Sequence, residues 1–173
     1  MKITIVNGSP RKGNTVAAIN ALISGLNNHE VELIDADKVN ISPCRGCGVC
    51  ECYKGCVAQD DSNAVIDILV ASDMIIFASP VYWWGITAQI KKLIDKCYCK
   101  GALLKGKKIG LIIVGGASTD NEQYDLIGRQ FNCISEYLNW DIVFYNKYSA
   151  SAANELAGNT DAMNDLKSLA ESI

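Results

Sequence analysis

The sequence predicts an α/β fold, a parallel sheet wound on both faces by helices, and three observations predict it. Apolar runs alternate with helix-patterned stretches along all 173 residues, the rhythm of successive strand-helix-strand units. Runs such as Met74-Ile75-Ile76-Phe77-Ala78 and Gly110-Leu111-Ile112-Ile113-Val114 are apolar without alternation, as expected of strands covered on both faces. The segments that leave the first, third and fourth apolar runs carry Gly, Ser, Thr or bulky aromatics, and in a parallel sheet those carboxyl-end loops are where a ligand binds.

Each element follows in order. Ile3-Thr4-Ile5-Val6 marks a first strand at Lys2–Asn7, broken by Gly8-Ser9-Pro10, and helical patterning resumes over about Asn14–Leu26. A second strand is expected at Glu30–Asp35, and a helix over about Ser62–Ala71 with Asp60 and Asp61 as its caps. The third strand, Met74–Ser79, is stopped by Pro80, and a helix follows at about Ile86–Tyr98. The fourth strand, Lys108–Val114, ends at Gly115-Gly116; a helix spans about Glu122–Asn139, a fifth strand Asp141–Lys147, and a last helix lies near Asp161–Ser172. Five strands in this rhythm suit a flavodoxin-like three-layer sandwich with sheet order 2-1-3-4-5, a single domain over residues 1–173 with a Cys-rich loop at about 43–61.

The loop Gly8-Ser9-Pro10-Arg11-Lys12-Gly13-Asn14-Thr15 points to a phosphate. A strand feeding such a loop and then a helix aims amides, hydroxyls and the partial positive charge of the first helical turn at an anion. Where a triphosphate-binding loop needs Lys, this chain has Asn14, and the dinucleotide fingerprint G-x-G-x-x-G is absent. A phosphate monoester held by Ser9, Arg11, Asn14 and Thr15 fits better, with Arg11 as counter-charge. Beside it, Pro80-Val81-Tyr82-Trp83-Trp84-Gly85 offers rings that can wall a flat ligand or serve a subunit contact, and Gly115-Gly116-Ala117-Ser118-Thr119 permits close backbone approach. A flat ring joined to a phosphate monoester describes FMN.

The whole chain narrows the partners. A net charge of -3 without a basic stripe argues against nucleic acid. The longest apolar stretch, about Met74–Ile86, is cut by Pro80 and too short to span a bilayer, and the start shows no signal-peptide layout, so a cytoplasmic, non-membrane protein is expected. No side-chain catalyst is expected. His29 is the one histidine and reads as a solvated surface residue, which leaves Ser9 without a base to activate it. Asp35 and Asp37 read as surface residues.

These motifs, with Pro43-Cys44-Arg45-Gly46-Cys47-Gly48-Val49-Cys50, Cys56, Asp60-Asp61, Ser79-Pro80-Val81-Tyr82-Trp83 and the stretch Lys91 to Asp95, resemble the NADPH-dependent FMN reductase and iron-sulfur flavoprotein branch of the flavodoxin-like proteins. The resemblance implies that the first segment, Lys12 included, holds the FMN phosphate. It implies that Pro80, Val81, Tyr82 and Trp83 border the isoalloxazine, with Gly115 and Gly116 approaching it. The implied activity is an FMN-dependent NAD(P)H oxidoreductase of the flavin, quinone or nitro-compound reductase type, passing hydride from the nicotinamide to FMN and on to a small acceptor. The resemblance also implies an oligomer, and with Trp83 and Trp84 on one loop a homodimer or homotetramer is expected.

Eight cysteines remain to be explained. Cys44, Cys47, Cys50 and Cys56 are spaced C-x2-C-x2-C-x5-C, and four such thiols can ligate one [4Fe-4S] cluster. Structural zinc, free thiols and a disulfide are the competing readings, and Cys52 is a spare thiol or an alternative ligand. With a cluster, the protein becomes an iron-sulfur flavoprotein electron carrier exchanging electrons with a ferredoxin-like partner. Cys97, Cys99 and Cys133 read as small buried or semi-buried residues.

Overall fold

A computed structural model describes residues 1–173. Five parallel strands, β1 (Lys2–Asn7), β2 (Glu30–Asp35), β3 (Met74–Pro80), β4 (Lys108–Gly115) and β5 (Asp141–Ser149), form one sheet in the order β2-β1-β3-β4-β5. The helices are α1 (Asn14–Ile23), α2 (Ser62–Ala71), α3 (Ala88–Cys97), α4 (Glu122–Leu138) and α5 (Thr160–Ser172).

The central strands explain the absence of alternation in their sequences. Along β3, Ile75 and Phe77 enter a core of 23 buried residues shared with α2, α3 and α4, while Met74, Ile76 and Ala78 enter a second core of 18 shared with α1 and α5. Side chains alternate faces, but both faces are dry, so every position is apolar. Phe77 packs on Phe131 with ring centroids 5.4 Å apart. The edge strands β2 and β5 are half-exposed and correspondingly mixed in sequence. No helix is long and apolar enough to cross a membrane.

The expected boundaries shift where tertiary contacts intervene. Helix α1 stops at Ile23 because Gly25 turns the chain against α5, where a Cβ would sit 2.7 Å from Ala170 and 2.9 Å from the Lys167 carbonyl. Helix α3 gives way after Cys97 to a 3-10 segment, Tyr98–Leu103, that periodicity alone does not distinguish from more α-helix. Asn139 is the left-handed cap of α4, at φ 52°, rather than its last residue. Cys133 corrects the expectation of burial: it is exposed, because α4 turns Tyr124, Ile127, Phe131, Ser135 and Leu138 inward and Cys133 falls on the opposite face.

Candidate functional site

Four loops converge beyond the carboxyl ends of the strands. The ladder continues past the regular strands and sets them in register: Gly8 N–H donates to Ala78 O, Val81 N–H to Val114 O, and Ala150 N–H to Gly115 O, each at 2.8 Å. They enclose a cavity of about 350 Å³, within the usual range for small-molecule sites. Of the residues expected to hold a flavin, Ser9, Arg11, Lys12, Asn14 and Thr15 line one end, and Pro80, Val81, Tyr82, Gly115 and Gly116 the other. The loop after β5, Ala150 to Ala153, completes the wall. Sequence reasoning missed it, although its run of small residues is the same cue that singled out the loop after β4.

The phosphate end is built from short, committed contacts. Ser9 N–H donates to Asn7 Oδ1 at 2.9 Å, and the Ser9 hydroxyl donates to Arg11 O at 2.8 Å, curling the loop. Gly13 is the N-cap of α1 and offers no side chain, so the first-turn amides have no side-chain acceptor; the first helical bond runs from Ala17 N–H to Gly13 O. Arg11 and Lys12 take part in no ion pair, so both cations stand free beside open amides, the chemistry a phosphate needs. The Asn14 side chain is also engaged within the protein. Its amide donates to Ala152 O at 2.9 Å and accepts from Leu156 N–H at 3.1 Å, tying the loop after β5 to the phosphate loop. Glu155 braces the same loop by accepting from Ser151 N–H and Ala152 N–H at 2.7 and 2.8 Å, and those amides hold its carboxyl below the ordinary range.

At the ring end, Tyr82 and Gly85 exchange backbone hydrogen bonds of 2.9 and 3.1 Å around a two-residue turn. Both turn residues are tryptophans at positive φ, Trp83 at 47° and Trp84 at 62°, a conformation bulky residues adopt only under strain. The two rings meet edge to face at 5.5 Å. Trp83 is 91% exposed and does not line the cavity, unlike its neighbour Tyr82; the tight turn points it away. Gly115 is required by the protein itself, since a Cβ there would lie 2.7 Å from Gln123 Nε2 and 2.8 Å from the Tyr124 hydroxyl. That buried hydroxyl lies 3.1 Å from Ala117 O and 3.0 Å from Tyr148 O and shares its one proton between them, tying the loop after β4 to the end of β5. Asp35 accepts from Asn7 Nδ2 and pairs with Lys38, a structural tie on the far side of the phosphate loop.

The cysteines form a separate place. Cys44, Cys47, Cys50 and Cys56 line one cavity of about 320 Å³, together with Cys99. Cys52 faces a neighbouring cavity beside Cys97 and Tyr98. All eight thiols are free, and no three metal-ligating side chains stand close enough to hold one ion. The donor set of four thiols on one wall fits a thiolate-ligated centre in its chemistry, though the sulfurs do not converge.

Behind this wall, Lys96 of α3 is buried, with Nζ 3.2 Å from Cys56 Sγ, 3.5 Å from Ser42 Oγ and 3.8 Å from Asp60 Oδ2. Asp60 and Asp61 divide the expected capping between them: Asp61 is the N-cap of α2 but turns its carboxylate to Asn40 N–H, and the Asp60 carboxylate accepts from Ser62 N–H at 2.9 Å. Burial pushes the Asp60 carboxyl up, but hydrogen bonds from Ser42 and Ser62 outweigh it and hold the group well below the usual carboxylate range. A depressed folded-state value contributes stability that is complete above the ordinary range and is lost as pH falls below about 4. Asp60→Asn is therefore expected to lower the urea midpoint at pH 7, with the gap from the wild type narrowing at pH 3.

The family model described as NADPH-dependent FMN reductase matches residues 1–129. An iron-sulfur flavoprotein of Archaeoglobus fulgidus is 40% identical over 119 residues, covering 66% of this chain and 54% of that one. An iron-sulfur flavoprotein of Methanosarcina thermophila is 33% identical over 129 residues, 71% of this chain and 68% of that one. The chain thus spans about half to two thirds of the length of these relatives. Among solved structures, a flavodoxin from the domain Archaea superposes with a TM-score of 0.62 at 17% identity, covering 100% of this chain and 96% of that one.

Proposed function

Because this chain belongs to the NADPH-dependent FMN reductase and iron-sulfur flavoprotein family, as the match over residues 1–129 and the relatives above 30% identity show, we propose that it is an FMN-dependent oxidoreductase that takes reducing equivalents from NAD(P)H. The observation that carries this reading is the cavity that unites free cations and open helix-start amides at one end with Tyr82 and backbone at the other. Bound FMN supplies the two-electron chemistry between a nicotinamide and a small acceptor such as a quinone or nitro compound. Arg11, Lys12 and the first turn of α1 bind its phosphate. Asn14 and Glu155 hold the fourth loop in place, and Pro80, Val81 and Tyr82 orient the ring and exclude water from one side.

A second reading adds an iron-sulfur cluster on Cys44, Cys47, Cys50 and Cys56, which line a single cavity, with a ferredoxin-like protein as electron partner. When bound, the cluster supplies one-electron transfer. An absorption spectrum, metal content and NAD(P)H oxidation rate of anaerobically purified protein test both readings. FMN bound at one per chain and faster NADPH oxidation with a quinone support the first. Protein that neither carries nor binds FMN overturns it. About four iron and four sulfide per chain support the second.

Trp83 and Trp84 suit a contact between copies of the chain. Replacing them with Asn-Gly, the pair favoured in such a turn, is expected to raise stability by about 1 kcal/mol or more through relief of strain and to reduce association in sedimentation experiments. Unchanged association would exclude the turn from the interface.

A further inference from the structure

We propose that Lys96 is a positioning residue for a thiolate-ligated iron-sulfur centre, its buried ammonium donating to Cys56 Sγ and serving as the fixed counter-charge that sets the reduction potential of that centre. The inference rests on the cluster reading above. A buried ammonium is costly unless its charge is matched, and Lys96 is only 3% exposed. Asp60 is its ion-pair partner at 3.8 Å, and the same carboxylate also accepts from Ser42 N–H, Ser42 Oγ and Ser62 N–H at 2.9, 2.5 and 2.9 Å. The 3.8 Å separation from Asp60 is longer than the 3.2 Å contact with Cys56 Sγ, so the charge is directed at the sulfur wall of the cavity. Asn63 fixes Cys56 from the other side, accepting from its N–H at 2.7 Å and donating to its carbonyl at 2.8 Å.

A cluster on four thiolates is anionic and becomes one charge more negative when it takes up an electron from a reductant. No bond breaks in that step, and the Lys96 proton stays on nitrogen. A nearby fixed cation favours the more negative, reduced form and raises the potential, and hydrogen bonds to cluster sulfurs act in the same direction. Lys96 is one of five lysines and arginines between Lys91 and Lys105. It is the one of the five that is buried.

The test is anaerobic reconstitution of the full chain with ferrous iron and sulfide, followed by iron analysis and a potentiometric titration with dithionite, for the wild type, Lys96→Met and Lys96→Arg. The expected result is a fall in the Lys96→Met reduction equilibrium constant of roughly tenfold, about 59 mV for one electron, with Lys96→Arg close to the wild type and the FMN potential unmoved in both. Loss of iron from Lys96→Met with retention in Lys96→Arg also supports the proposal. If Lys96→Met does not fold, the charge-balanced Lys96→Met/Asp60→Asn variant replaces it with the same readouts. Unchanged iron content and potential overturn the role of Lys96 alone. A wild type that takes up no iron overturns the cluster reading and this proposal with it, and leaves the FMN reading standing.

Discussion

Arg11→Ala is expected to weaken FMN retention by about 1.5 to 3 kcal/mol, the worth of a hydrogen bond to a charged group, or roughly tenfold to a hundredfold in dissociation constant. Arg11 is exposed and takes part in no ion pair, so its removal deletes no contact the fold depends on. Two controls follow from that. The unfolding free energy of the apoprotein in urea should stay within about 0.5 kcal/mol of the wild type, as for surface substitutions elsewhere. Riboflavin, which lacks the phosphate, should bind both proteins equally. Fluorescence titration with FMN and riboflavin measures this directly, and an equal loss for the two ligands would mean that Arg11 does not face the phosphate.

Gly8→Val acts on fold and site together. A Cβ at position 8 would lie 2.5 and 2.6 Å from Ile90 Cδ1 and Cγ1 and 2.8 Å from Thr87 Oγ1. Thr87 caps α3 through Ile90 N–H and donates to Gly8 O at 2.9 Å, so the intruding side chain separates the phosphate loop from the start of α3. Overpacking of this kind costs about 1–3 kcal/mol, and the valine adds two methyl groups to a space too small for one. A large drop in urea midpoint is expected, together with a loss of FMN affinity of more than tenfold. Wild-type stability would show that α3 can shift without penalty.

Both variants sit on residues that local sequence already made legible. Gly8 and Arg11 lie in a strand-loop-helix joint whose chemistry is contiguous in the chain, so spacing alone exposes it. Asn14 belongs to the same joint, yet its side chain is occupied by Ala152 and Leu156, 138 and 142 residues away. Trp83 matched the aromatic pattern of a ring-binding loop, but the two-residue turn between Tyr82 and Gly85 directs it into solvent. Cys52 stands within the cysteine run and still faces another cavity. In each case the residue type was informative and its direction was not, because a turn or a partner distant in sequence decides where a side chain points.

Lys96 marks the limit most clearly. On α3 it follows Leu93 and Ile94 and precedes Cys97, all buried, so it flanks the apolar stripe; only the packing of the Cys-rich loop and the start of α2 over that flank encloses it. The sequence by itself determined what periodicity and local chemistry control: five parallel strands, the helices between them, the phosphate loop and the candidate thiols. The tertiary structure alone decided which loops share a cavity, that the segment after β5 joins them, and which charge lies buried beside which sulfur. Strand pairing and loop packing join residues far apart in the chain, and that information is carried by the whole core.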